Sequence, residues 1–253
     1  MSVLFVPFVW GDSWNNKKGE HFIIQYSSQI ESDWASEVLR EAERYYDIIG
    51  RRIGYTRFQD YWTWEDRAKI LIYADQKAFM EDTGQPVWSK GGATRHLDGA
   101  RVIVSYGQDE SFLEGVLPHE IGHLILNDFV GVKTHVPLWF DEGVAQLQEE
   151  DKKVQADKIM RRVVKLQKHI PLGQLSGMDI RHEEDTNTVA IFYSQGISII
   201  DFLITAYGSQ RFGQFCRNLG NGQNFEDALK NAYTSYIDSL SELEEKWLQF
   251  MRQ

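Results

Sequence analysis

Leu117–Glu142 reads LPHEIGHLILNDFVGVKTHVPLWFDE, and how this stretch is understood decides the fold of the whole chain. Within it, His119-Glu120-Ile121-Gly122-His123 spells H-E-x-x-H, and Glu142 follows His123 after eighteen intervening residues. On a helix, positions i and i+4 share a face with Cβ atoms about 5–6 Å apart, so two imidazoles can converge on one cation. Glu120 sits at the edge of that face, where it can reach a water on the cation without being a ligand. A third ligand must come from another element, and Glu142, just past the apolar pair Trp139-Phe140, is the candidate. Two imidazoles and a carboxylate are zinc donors, and three protein ligands leave a fourth position open, as in catalytic rather than structural sites. The expectation is one Zn2+ ion held by His119, His123 and Glu142, with Glu120 as general base.

Around the motif, Leu113, Val116, Leu117, Ile121, Leu124 and Ile125 form an apolar stripe at helical spacing. A plain alternative is a buried amphipathic helix with two incidental histidines. That alternative must explain why His119 and Glu120 stand side by side in so apolar a run, since buried polar groups cost free energy unless satisfied. Pro118 removes one helical hydrogen bond, so it marks a kink or the true start of the helix.

The two motifs, H-E-I-G-H and Leu138-Trp139-Phe140-Asp141-Glu142-Gly143-Val144-Ala145, together resemble the gluzincin metallopeptidases. They are most like the aminopeptidase-N-like branch and its compact peptidase MA-like relatives. The resemblance covers roughly residues 90 to 250. It implies an α+β, thermolysin-like zincin domain in which a small mixed N-terminal sheet with helices precedes a mostly helical half. It also implies a zinc metallopeptidase acting on a peptide or protein substrate. Ile191–Leu203 resembles the Tyr-x-x-Gly helix of that branch, which makes Tyr193 the donor to the oxyanion. Gly91-Gly92-Ala93-Thr94 echoes the family's substrate-pairing edge strand. The acidic residue that holds a substrate's free amino terminus is missing from it. Read from the residues alone, these glycines fit either a peptide-binding edge or a simple turn. Two other functions stay open on sequence grounds: a catalytically silent, zincin-like binding module of the cell envelope, and a metal hydrolase of a non-peptide amide.

Composition sets outer bounds. The chain has 253 residues, 42% of them hydrophobic and 25% charged, with a formal net charge of −10. Phosphate binding needs basic patches, so this balance argues against a nucleic-acid partner. Cys216 is the single cysteine, which rules out an intramolecular disulfide. No run reads as long enough for a transmembrane helix. Residues 1–11, MSVLFVPFVWG, resemble the tail of an export signal without its basic start, or else a short N-terminal strand. The export reading places the protein in the periplasm, the envelope or the medium rather than the cytoplasm. Residues 12–253 are expected to form one domain, with an α/β lobe over about 12–128 and a helical lobe over about 129–253.

Along the chain, Asp12–Glu20 reads as a polar loop and His21–Tyr26 as a strand. Asp33–Ile49 reads as a helix stopped by Gly50. Lys69–Tyr73 and Arg101–Ser105 read as strands, with a short helix over Gln76–Glu81 between them. Beyond Glu142, small Gly143 and Ala145 are expected to let that helix pack on the motif helix. Gln146 and Asp141 compete as the group that orients a ligand histidine. Asp151–Lys168 and two stretches within Phe225–Leu248 read as helices. His96 and His135 have the best secondary claim among the remaining histidines.

Overall fold

The computed structural model describes residues 13–55, 62, 66–86, 91–95, 100–131 and 134–253, with only the backbone of 93–95. Residues 1–11 and His96 lie outside the described residues. Five strands, β1 (Trp14–Lys18), β2 (Phe22–Ser27), β3 (Ala68–Tyr73), β4 (Gly91–Arg95) and β5 (Arg101–Tyr106), form one sheet in the order β1-β2-β3-β5-β4. The central pairs β2–β3 and β3–β5 are parallel, and the outer pairs β1–β2 and β4–β5 are antiparallel. The segment over Asp12–Glu20, expected as a loop, therefore contains a strand. Its residues show no apolar alternation because β1 is an outer strand with mostly exposed side chains, and backbone pairing to β2 rather than burial holds it.

The described chain divides into two compact units. One holds the described residues within 13–48 and 57–124, and the other those within 49–55 and 125–253. In the first, register puts Phe22, Ile24, Ile70 and Ile103 on one sheet face. Helix α1 (Ser32–Ile53) sends Tyr46 against this face, edge-on to Phe22 and tilted against Trp62. On the other face, Tyr73, Val102 and Val104 pack with Phe79 of α2 (Gln76–Thr83). Helix α1 runs through buried Gly50 instead of stopping there. The stop falls at Gly54, whose φ of +72° closes the helix while Tyr55 N–H bonds back to the Gly50 carbonyl.

Glu43 of α1 ties the helix to the start of β2. Its carboxylate accepts from the backbone amides of His21 and Phe22 and lies 2.7 Å from His21 Nδ1. Burial works against its charge, but bonding to His21 outweighs it, and the Glu43 pKa is held below its usual value. A depressed carboxylate contributes stability above its unfolded pKa and loses it as pH falls through the lower folded value. Glu43→Gln is therefore expected to destabilise the protein by about 1 kcal/mol at neutral pH. The gap in urea midpoint between variant and parent should shrink on acidification below the ordinary carboxylate range. A gap independent of pH would remove the charge from the explanation.

The second unit is helical. It is built on α4 (Leu138–Gln146), α5 (Glu150–Lys165), the short α6 (Leu172–Leu175; here α3 is Leu117–Val130), α7 (Thr186–Tyr207), α8 (Ser209–Gly220), α9 (Phe225–Ala232) and α10 (Leu240–Met251). Helix α7 is the centre of this unit. Contrary to the sequence reading, it is long and apolar enough to cross a membrane by length and composition, but just over half of its most apolar stretch is buried inside the protein. Its fully buried Gln195 exchanges two hydrogen bonds with the backbone of Ile170. Ser198 accepts from Trp247 Nε1 of α10, and Asp201 pairs with Lys153 of α5 at 3.1 Å.

Candidate metal centre

A π-helical turn, Phe112–Val116, precedes α3 and leads straight into it. The Leu117 amide bonds back to the Phe112 carbonyl, so the wide turn uses up the last register before Pro118, which has no N–H to give. Pro118 thus stands at the second position of α3. The division between the two units falls within α3, after Leu124. Ile121, Leu124 and Ile125 are buried, whereas His119, Glu120 and His123 are half-buried along the helix. The rings of His119 and His123 meet edge to face, with centroids 4.7 Å apart and their Nε2 atoms 3.1 Å apart.

Glu142 is fixed by what surrounds it on α4. Trp139 and Phe140 are fully buried in one aromatic group with Phe212, Phe215 and Phe225. Burying a side chain such as Phe140 is worth about 1.5–3 kcal/mol relative to exposure, so the face of α4 opposite Glu142 is firmly anchored. Gly143 of α4 packs on α7. A Cβ at Gly143 would lie 2.8 Å from the carbonyl carbon of Gly196, and one at Gly196 would lie 2.7 Å from the Trp139 carbonyl oxygen. The two backbones touch at glycines, next to Glu142 on one helix and one turn from Tyr193 on the other.

One ligand atom each from His119, His123 and Glu142 all lie within 4.8 Å of one another, and among the described residues no other trio of His, Cys, Asp or Glu does so. Two ring nitrogens 3.1 Å apart must share a proton or converge on a common cation. Two nitrogens bound tetrahedrally to one zinc at about 2.0–2.1 Å stand about 3.3 Å apart, close to the observed spacing. The donor set and spacing therefore fit zinc. Tyr193 is half-buried on α7. Burial first, and the neighbouring Glu142 carboxylate second, raise its hydroxyl pKa, so it keeps its proton at neutral pH.

The other sequence candidates are placed as follows. Gln146 donates its Nε2 proton to Glu142 Oε2 over 3.1 Å, one turn along the same helix. Asp141 is half-buried beside Glu142 on α4. Gly91, Gly92, Ala93 and Thr94 form β4, which among the described residues pairs only with β5 and so is an outer strand. Gly91 is small for a local reason, since a Cβ there would meet the Val104 carbonyl and Val116 of the π turn, both at 2.8 Å. His135 is exposed. Sequence reading missed the α4–α7 crossing. The recurrence of Gly one residue after Glu142 and three after Tyr193 was its only signal.

A family model, the peptidase MA superfamily, matches residues 65–253. No curated protein matches the chain in sequence. Among solved structures, native LTA4 hydrolase from yeast is similar with a TM-score of 0.54 at 13% identity, over 93% of this chain and 38% of that one. The yeast LTA4 hydrolase complex with bestatin is similar with a TM-score of 0.51 at 14% identity, over 92% of this chain and 39% of that one. At such identities the likeness is one of fold, and this chain spans well under half the length of the yeast enzyme. The α+β arrangement, a small sheet followed by a mostly helical half, is that of a zincin catalytic domain.

Proposed function

The chain belongs to the peptidase MA superfamily, and from that premise we propose that it is a zinc-dependent metallopeptidase of the gluzincin type that hydrolyses peptide bonds. The observation that carries this reading is the convergence of His119, His123 and Glu142 on one small volume. The chemistry a zinc ion supplies in such a site is polarisation of the scissile carbonyl and acidification of a water toward a pKa of about 7. Glu120, next to His119 on α3, takes the proton of the attacking water and passes it to the leaving amine. Tyr193 donates its O–H to the oxygen of the tetrahedral intermediate. The outer edge of β4 offers its backbone groups to an extended peptide.

The test is elemental analysis of the purified full chain together with turnover of a mixed peptide library, with and without a chelator. The reading expects one zinc per chain and hydrolysis that stops on chelation. Absence of zinc, or turnover indifferent to chelator, would sink it. Tyr193→Phe is expected to lower kcat by ~100–1,000-fold, the usual worth of one oxyanion donor, with zinc content unchanged. A parental kcat in that variant would remove Tyr193 from the mechanism.

A further inference from the structure

Gln146 lies one turn beyond Glu142 on α4, is only 8% exposed, and donates its Nε2 proton to Glu142 Oε2 over 3.1 Å. On a solvated helix, such a pair four residues apart is a modest local stabiliser. Here it sits within a buried run, Gly143–Gln148, where an amide needs a partner. Its acceptor is the same carboxylate that joins His119 and His123. A carboxylate can bind a cation through one oxygen or both. An oxygen that already accepts a directed N–H bond is the poorer donor to a cation, and this bond makes Oε2 of Glu142 such an oxygen. Because the amide is neutral, it does this without adding negative charge to the site. A carboxylate bound through both oxygens would take up a coordination position that water or a carbonyl otherwise occupies.

Resting on the zinc reading above, we infer that Gln146 is a positioning residue that fixes Glu142 as a one-oxygen ligand and so keeps a coordination position open. Gln146→Met tests this, because it retains length, approximate volume and helix propensity while removing the N–H. The full chain carrying this change is expected to bind zinc ~10–100-fold more weakly by chelator competition, as when an outer partner of a ligand is lost. Loaded with Co2+, it should absorb visible light more weakly than the parent, because a higher coordination number lowers the intensity of these bands. Its circular dichroism and its metal-free Tm should stay parental. In a Glu142→Ala background, Gln146→Met should alter zinc affinity no further. A parental cobalt spectrum and zinc affinity would overturn the inference and reduce the contact to a helix pair. So would a loss of affinity that persists undiminished without Glu142. If the parent chain takes up neither metal, the zinc reading fails and this inference falls with it. Metal uptake with an unaltered variant overturns this inference alone.

Discussion

Glu120→Gln is expected to keep one zinc per chain and to lose hydrolysis, with kcat lowered by at least ~100–10,000-fold, the usual worth of a positioned general base. The amide has nearly the shape of the carboxylate and is half-buried at the same place on α3, so neither the helix nor the ligand pair is disturbed. It cannot take a proton from water, and that step is the one the proposal assigns to this side chain. Steady-state kinetics on a peptide substrate, with zinc measured on the same preparation, separate the two effects. Parental turnover in this variant would leave the hydrolysis proposal without its base.

The second large effect concerns the ligands. Removing either imidazole, in His119→Ala or His123→Ala, is expected to weaken zinc binding by more than the ~10–100-fold that losing an outer partner costs. Glu142→Ala belongs to the same class. Each of these side chains is only half-buried, so the metal-free variants should still fold. A ligand that binds the native state alone stabilises it by about 2.7 kcal/mol at 100 times its Kd. Added zinc should therefore raise the Tm of the parent and leave the variants unmoved. An equal rise in all of them would place the ion elsewhere.

The candidate trio His119, His123 and Glu142 is legible in the sequence because its information is local. His119 and His123 are brought together by one helical turn, and Glu142 follows in a second short pattern, so no long-range pairing had to be guessed. The misread parts depend on contacts that spacing does not encode. Strand β1 is polar and exposed, and only β2 beside it makes it a strand. Helix α1 was cut short at Gly50 because a glycine looks like a stop, whereas the left-handed stop belongs to Gly54. Gln146 and Asp141 read equally well as the group that orients a ligand histidine, and spacing does not encode the bond from Gln146 to its own Glu142. Pro118 reads as disruptive in the sequence, which does not show the π turn that precedes it. Helix α7 has the composition of a membrane span, and just over half of its most apolar stretch is buried inside the protein, where burial selects the same residues as a bilayer.

The meeting of Gly143 with Gly196 has a consequence for how such a protein can diverge. Two chain segments in backbone contact act like a soldered joint, so the gap between acid and phenol does not widen by small steps as sequences drift. A lineage that enlarged either glycine would have to rebuild both helices at once. Changes around the site would accordingly accumulate at positions that leave this joint alone.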